Sequence, residues 1–201
     1  MRSKQNKYGI FGGTFNPPHI AHSIIAREIL EQFNLDKIIF IPSGIPPLKL
    51  DDELTSSLHR LNMAKIAFEN DKSFEVSEIE MQNVSHKSFT VETLMKLSEI
   101  FKDDNVKLYL IIGIDNLIDF PKWKNPEKLF SYCDVIVINR PGFSHNDAAS
   151  EYAGKVMFAK IPMLEISSTM IRNYINNGKS IKYFVNPGVE KYIRENKLYL
   201  S

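Results

Sequence analysis

The segment YGIFGGTFNPPHIAH, residues 8–22, decides how the chain begins to fold. Its first four residues form a short apolar run, typical of a strand that is buried on both faces. Gly12 and Gly13 follow at once, and we expect positive φ there, so that the backbone turns and approaches a ligand closely. The prolines at 17 and 18 stop the strand and precede a predicted helix whose unpaired amides favour an anion. The segment therefore predicts a strand, an anion-binding loop and a helix.

His19 and His22 are three positions apart at the start of that helix, so their imidazoles share one helical face. Two imidazoles beside a helix N-terminus suit the charge that builds up on a phosphate during substitution. The spacing matches neither the P-loop nor the dinucleotide fingerprint, which disfavours a kinase and a nicotinamide-dependent dehydrogenase. The alternatives are a tight structural turn with surface histidines and a metal site. Metalloprotease helices place their histidines four apart with an intervening Glu, so we predict no metal ligand here.

The whole chain alternates short apolar strands with stretches of helical periodicity. Strands are predicted at 8–11, 37–41, 74–76, 106–112, 134–138 and 155–159, and helices near 20–33, 58–67, 91–101, 126–132, 168–176 and 187–196. This order predicts an α/β fold: a Rossmann-like, doubly wound parallel sheet with helices on both faces and a small C-terminal helical part. We expect a single domain over residues 1–201, with ligands bound beyond the carboxyl ends of the strands.

Composition limits the classes of partner. The chain of 201 residues has 25 Lys and Arg against 24 Asp and Glu, a net charge of +1, so neither nucleic acid nor an anionic membrane is an expected partner. Cys133 is the only cysteine, which excludes an intramolecular disulfide and favours a reducing compartment. No apolar run is long enough to span a membrane. We expect a cytoplasmic protein, and a homo-oligomer stays open.

A second candidate anion site follows the last predicted strand, in Ile-Ser-Ser-Thr-Met-Ile-Arg, residues 166–172. Ser167 or Ser168 is a natural N-cap, and the neighbouring hydroxyls, including that of Thr169, lie among unpaired amides. Arg172 is four residues beyond Ser168, and helical side chains lean toward the N-terminus, so its guanidinium can close over a bound phosphate. Alone, the motif also fits an ordinary capped surface helix. Two helix N-termini at one sheet edge would form a triphosphate clamp.

The motif Gly-Gly-Thr-Phe-Asn-Pro-Pro-His-x-x-His, together with Ile-Ser-Ser-Thr-x-x-Arg, resembles the phosphate motifs of the nucleotidylyltransferase superfamily. Within it, the chain resembles the bacterial nicotinate-mononucleotide adenylyltransferases, in segments 42–49, 59–63, 87–94, 113–115, 121–123, 140–142 and 189–199. The resemblance implies transfer of AMP from ATP to the 5′-phosphate of nicotinate mononucleotide, which gives deamido-NAD and pyrophosphate. It also implies that Mg²⁺ is bound with the ATP.

The resemblance implies a role for each matching residue. His19, His22 and Arg172 would be the catalytic residues, the histidines at the reacting α-phosphate and the arginine at the departing phosphates. The implied ATP-binding residues are Gly12, Gly13, Thr14, Phe15, Asp115, Ser167, Ser168 and Thr169. The implied pyridine-nucleotide residues are Thr90, Trp123 and Lys49. A threonine hydroxyl and unpaired amides suit a carboxylate on the pyridine, so nicotinate is expected over nicotinamide.

Some of these assignments have alternatives. Asp115, placed near the adenosine ribose, also fits a residue that caps a loop, and Trp123, placed against the pyridine, also fits a half-buried packing residue. The chain departs from the family pattern at Ala21, where the signature has glycine, and at Leu48, where the family often carries His. The alternative functions are transfer to nicotinamide mononucleotide or phosphopantetheine, a cytidylyltransferase, and a non-catalytic nucleotide sensor.

Overall fold

The computed structural model describes residues 5–45, 54–81, 87–139 and 151–200. Its strands are β1 (Asn6–Gly13), β2 (Lys37–Pro42), β3 (Phe74–Val76), β4 (Val106–Gly113), β5 (Cys133–Ile138) and β6 (Met157–Ala159). Its α-helices are α1 (Ile20–Gln32), α2 (Ser57–Phe68), α3 (Thr90–Ile100), α4 (Ile114–Asp119), α5 (Pro126–Leu129), α6 (Ser168–Asn176) and α7 (Pro187–Glu195). Short 3₁₀ turns lie at Phe120–Lys122 and Ala153–Lys155.

The strands form one parallel sheet in the order β3-β2-β1-β4-β5-β6. The first half of the chain extends the sheet to one side of β1 and the second half to the other, so the order reverses between β1 and β4. Sheets of this kind bind ligands beyond the strand ends at the reversal. The predicted Rossmann-like fold is confirmed. The last strand begins two residues later than expected, because Ala153–Lys155 forms a 3₁₀ turn.

Side chains on the two faces of the sheet enter two separate apolar cores. On β1, Ile10 belongs to the core that α3 and α4 cover, and Phe11 to the core that α1 and α2 cover. The central strands alternate in the same way, which explains their continuous apolar sequence. Because both faces are covered, a polar ligand can reach this sheet only at its strand ends.

A third core lies between α2, α6 and α7, where Met63 and Val189 are both 0% exposed. This is the predicted C-terminal helical part. Asn186 caps α7 by accepting a hydrogen bond from the Gly188 N–H at 2.8 Å, as the Asn-Pro pair predicted. Among the helices that the structure describes, none combines the length and the apolar character needed to cross a bilayer.

Candidate active site

Phe15, and not a glycine, makes the turn in the loop after β1. Its φ is 47°, and its side chain is 1% exposed between the rings of Phe11 and Phe68. Gly12 and Gly13 belong to β1 and neither has positive φ, so the expectation of a glycine turn is wrong. The buried ring holds the backbone in a conformation that a residue with a Cβ rarely adopts. Only the main chain of Phe15 can therefore contact a ligand.

The two glycines have different surroundings at the end of β1. A Cβ on Gly13 would lie 3.0 Å from the Phe15 ring, so a larger residue would displace that ring. A Cβ on Gly12 would meet nothing within 4 Å, and Gly12 is exposed. The backbone at Gly12 is therefore accessible to a ligand, in strand and not in turn conformation.

His19 and His22 lie together at the N-terminus of α1. Their rings are stacked with centroids 3.7 Å apart, and His19 is the N-cap residue. The main-chain N–H of His19 donates to Nδ1 of His22 at 3.1 Å. Because Nδ1 accepts this bond, His22 carries its proton on Nε2. The helix start thus presents an N–H donor on the other edge of the His22 ring.

The N-terminus of α6 contacts the loop after β1. The Ser168 hydroxyl donates to the Pro17 carbonyl at 2.8 Å, although the two residues are 151 positions apart. Nη1 of Arg172 donates to the Asn16 carbonyl at 3.1 Å, and Nη2 lies 3.5 Å from Oγ1 of Thr169. The structure therefore brings Arg172 to the loop that leads into the two histidines.

Two serines at the start of α6 have separate tasks. Ser167 is the N-cap, and its side chain accepts from the Met170 N–H at 3.1 Å. The Ser168 hydroxyl already donates its hydrogen bond to the Pro17 carbonyl. Ser168 can therefore donate to a phosphate through its main-chain N–H but not through its hydroxyl. Thr169 is exposed in the same turn. An anion here would also interact favourably with the helix dipole.

Asn16 connects this loop to the C-terminal segment, a role that the sequence did not predict. The residue is 2% exposed, and its Oδ1 accepts from the Tyr199 hydroxyl at 2.9 Å and from the Thr55 N–H at 3.4 Å. Burial raises the pKa of Tyr199, so the phenol stays protonated and donates. One sequence feature pointed to this role: Asn16 is a polar residue between a buried strand and two prolines.

Arg60 is a buried cation beside the same loop, in a role that the sequence did not predict. It is 2% exposed, and burial lowers its pKa from the ordinary value. Its guanidinium donates to the main-chain carbonyls of Thr14, Ser43, Gly44 and Thr55. One sequence feature pointed to this role: Arg60 precedes Ala64 by four residues, so the two residues share the buried face of α2.

Asp115 lies in the first turn of α4, directly after β4 and across the reversal of strand order from the loop after β1. Gly113 is the N-cap of α4, so the alternative of Asp115 as the cap is wrong. α4 itself was not predicted, because its residues continue the apolar run of β4 without a helix-starting signal. An acidic side chain in a first turn also interacts favourably with the helix dipole.

The residues assigned to the pyridine nucleotide lie around the start of α3. Thr90 is the first residue of this helix, as predicted. Trp123 is half-buried, with its ring 5.0 Å from that of Phe120. The next residue, Lys124, pairs with Glu92 at 2.6 Å. The ion pair therefore holds the Trp123 segment beside the first turn of α3.

Residues 43–45 lie between these two groups. The Ser43 N–H donates to the Gly13 carbonyl and the Ser88 N–H donates to the Ile45 carbonyl, both at 2.9 Å. The loop after β2 thus contacts both the end of β1 and the approach to α3. The segments 46–53, which include Leu48 and the candidate Lys49, and 140–150 lie outside the described residues.

Known proteins are similar to this chain in sequence and in fold. A profile of the cytidylyltransferase-like family matches residues 10–174. The nicotinate-nucleotide adenylyltransferase of Bacillus subtilis (strain 168) is 39% identical over 195 residues, which cover 97% of this chain and 99% of the relative.

Solved structures show the same relationship in three dimensions. Plasmodium falciparum nicotinic acid mononucleotide adenylyltransferase complexed with NaAD aligns with a TM-score of 0.79 and 25% identity, covering 97% of this chain and 98% of that one. The same protein complexed with APC aligns with a TM-score of 0.77 and 24% identity, over the same shares of both chains. The family match over residues 10–174 includes both phosphate motifs and α3. The chain belongs to the cytidylyltransferase-like family and, within it, to the nicotinate-nucleotide adenylyltransferases.

Proposed function

We propose that this enzyme transfers AMP from ATP to the 5′-phosphate of nicotinate mononucleotide and releases deamido-NAD and pyrophosphate. The observation that carries the proposal is the contact between α6 and the loop after β1, through the hydrogen bonds of Ser168 and Arg172. It gathers two helix N-termini, two imidazoles and a guanidinium at one edge of the sheet. These are the groups that hold a polyphosphate.

The reaction needs positioning and charge stabilisation, and it needs no base. The attacking phosphate is already an anion at neutral pH, so no proton has to be removed from it. Negative charge moves to the departing pyrophosphate, and donors fixed in advance stabilise that charge. The Nε2–H of His22 is such a donor, because the bond from the His19 N–H fixes both its tautomer and its ring.

We assign the phosphates of ATP to two helix starts. The α-phosphate is assigned to His19 and His22, with main-chain groups of Gly12, Gly13, Thr14 and Phe15. The β- and γ-phosphates are assigned to Arg172 and the start of α6, at Ser167, Ser168 and Thr169. The ribose of adenosine is assigned to Asp115, whose carboxylate can accept from its hydroxyls. This arrangement places the departing pyrophosphate against the guanidinium.

We assign the pyridine nucleotide to the start of α3. Thr90 offers a hydroxyl and a main-chain N–H in a first turn, where a carboxylate is favoured. Trp123 offers a flat ring, and Lys49 is assigned to the same substrate from the sequence alone. Replacing the nicotinate carboxylate by an amide would lose the charge-assisted part of the bond, about 1–2 kcal/mol. Nicotinate mononucleotide is therefore the proposed acceptor.

Mg²⁺ is assigned to the ATP and not to a protein site. Among the described residues, no three His, Cys, Asp or Glu side chains are grouped so that they could hold a metal ion. The imidazoles at the loop after β1 offer nitrogen, whereas Mg²⁺ prefers oxygen ligands and keeps several waters. These residues fit an ion that the ATP phosphates bring with them. Its chemistry would be to neutralise phosphate charge.

Release of pyrophosphate tests the proposal. ATP and CTP are each assayed with nicotinate mononucleotide, nicotinamide mononucleotide and phosphopantetheine, and the products are identified by mass. We expect the highest rate from ATP with nicotinate mononucleotide. A higher rate with CTP would indicate a cytidylyltransferase. A higher rate with another acceptor would indicate a related nucleotidylyltransferase. Binding of nucleotide without release in any pair would assign a sensor.

We further propose that residues 1–201 act as one nucleotidylyltransferase domain. The C-terminal helices share a core with α2 and contribute contacts to the loop after β1. A cytoplasmic location and the lack of nucleic-acid and membrane partners stay predictions from composition, and a homo-oligomer stays open.

A further inference from the structure

Gly44 lies where two backbone segments approach each other closely. A Cβ at this position would lie 2.5 Å from the Glu80 carbonyl oxygen and 2.9 Å from Oγ of Ser88. The first of these atoms belongs to the main chain, so it cannot move aside as the end of a flexible side chain can. Only glycine allows the loop after β2 to pass this close to residue 80.

Arg60 holds the other side of this loop. Its Nη2 donates to the Gly44 carbonyl at 2.7 Å and its Nη1 to the Ser43 carbonyl at 2.6 Å. The same Nη1 donates to the Thr14 carbonyl at 3.1 Å. One rigid guanidinium plane therefore sets the separation between the loop after β1 and the loop after β2.

Glu80 continues the connection toward α3. Its Oε1 accepts from the Thr93 hydroxyl at 2.7 Å, and its Oε2 accepts from the Gly44 N–H at 3.4 Å. Thr93 is 7% exposed and follows Thr90 by one helical turn. A continuous set of buried and half-buried contacts thus runs from the phosphate loop, through Gly44, to the helix assigned to the pyridine nucleotide.

We propose that residues 43–45, held between Arg60 and Glu80, form a spacer that sets the distance between the ATP subsite and the pyridine-nucleotide subsite. The inference rests on the proposed function, which supplies the two subsites. Arg60, Glu80 and Thr93 are positioning residues, because they act through main-chain groups and not on substrate. In-line transfer needs the acceptor phosphate opposite the leaving group, and a displacement of about 1 Å can cost about 10²-fold in rate.

Gly44→Ala tests the spacer, and Gly154→Ala is its matched control. The methyl group on residue 44 must push two backbone segments apart, whereas a Cβ on residue 154 would meet nothing within 4 Å. We expect kcat of Gly44→Ala to fall about 10²-fold, with both KM values within about threefold of wild type, because each subsite stays intact by itself. Gly154→Ala should match wild type. An unchanged kcat in Gly44→Ala, or a loss confined to one KM, overturns the proposal.

Thr93 provides a second test if Gly44→Ala does not fold. Thr93→Val keeps the shape of the side chain and removes the hydroxyl that donates to Glu80, whereas Thr93→Ser keeps the hydroxyl. We expect kcat to fall about tenfold in Thr93→Val and to recover in Thr93→Ser, after correction for the folded fraction measured by circular dichroism. Equal kcat values in the two variants overturn the proposal.

The wild-type enzyme in the same assay separates the two proposals. A wild type that releases no pyrophosphate overturns the proposed function and the spacer with it. An active wild type, with Gly44→Ala and Thr93→Val equally active, overturns the spacer alone.

Discussion

The ATP end and the pyridine end of the site are held by different kinds of contact. Around the ATP end, Asn16 and Arg60 are each 2% exposed and make directional hydrogen bonds to neighbouring loops. Around the pyridine end, Lys124 pairs with Glu92, and each side chain is 45% exposed. Buried hydrogen-bonded groups are costly to disrupt, whereas an exposed ion pair contributes about 0–1 kcal/mol. The loops at the ATP end are therefore held by buried hydrogen bonds, whereas the segment of Trp123 at the pyridine end is held by an exposed ion pair.

This contrast predicts that changes at the ATP end reduce rate or nucleotide affinity, and that changes at the pyridine end alter the choice of acceptor.

His22→Ala should cause the largest loss of activity. Removing one donor fixed in advance commonly lowers kcat by about 10²–10³-fold, and we expect the fold to survive although the ring also packs on Phe15. Pyrophosphate release and near-ultraviolet circular dichroism measure the two effects. His59→Ala is the matched control, because the ring of His59 contacts the Tyr192 hydroxyl at 3.0 Å, between α2 and α7. Near-normal release by folded His22→Ala would contradict the assigned role.

Arg172→Ala should chiefly weaken ATP binding. Charge-assisted hydrogen bonds contribute about 1.5–3 kcal/mol, so KM for ATP should rise about 10- to 100-fold while KM for the acceptor changes little. Steady-state kinetics at saturating acceptor measure the change. Arg194→Ala, at an exposed position of α7, is the control and should match wild type. An unchanged KM for ATP would count against a guanidinium on the departing phosphates.

The preference between acceptors tests the pyridine end. We expect kcat/KM for nicotinate mononucleotide to exceed that for nicotinamide mononucleotide by about 5- to 30-fold, which corresponds to about 1–2 kcal/mol. Initial rates with the two nucleotides measured side by side give the ratio. Thr90→Val should reduce the ratio without changing KM for ATP. A wild type that prefers the amide would refute the assignment of the carboxylate to the start of α3.

The smallest expected effect is the contribution of Tyr199 to the loss of stability at alkaline pH. Burial raises the pKa of Tyr199, so the native state keeps its phenol proton where the unfolded chain, with a pKa of about 10, loses it. The stability present below about pH 10 therefore declines as pH rises further, because the native state binds more protons than the unfolded one.

Urea unfolding at about pH 8 and about pH 11 measures this decline, and Tyr199→Phe should show a shallower one. Burial also raises the pKa of Cys133, to about 12, but this thiol is present in both proteins and cancels in the comparison. An equally steep decline in Tyr199→Phe would show that the buried phenol does not contribute.

Local patterns predicted the elements well for a physical reason. Strands buried on both faces must be apolar throughout, and a helix start needs a capping residue. Each requirement therefore produces a pattern that can be recognised within a few residues of sequence. Ser167 and Asn186 were recognisable as caps on these grounds. Phe15 was not recognisable as the turn residue, because its positive φ depends on rings that other elements bring against it.

The sequence by itself determined the order of the strands and of every α-helix except α4, the two phosphate motifs and the family they indicate. Only the tertiary structure decided that Arg60 holds two loops together and that Asn16 is joined to Tyr199. These hydrogen bonds link residues 46 and 183 positions apart, Arg60 with Thr14 and Tyr199 with Asn16. No local period encodes such pairs, because the packing of α2 and the C-terminal segment on the sheet is what brings the donors to their acceptors.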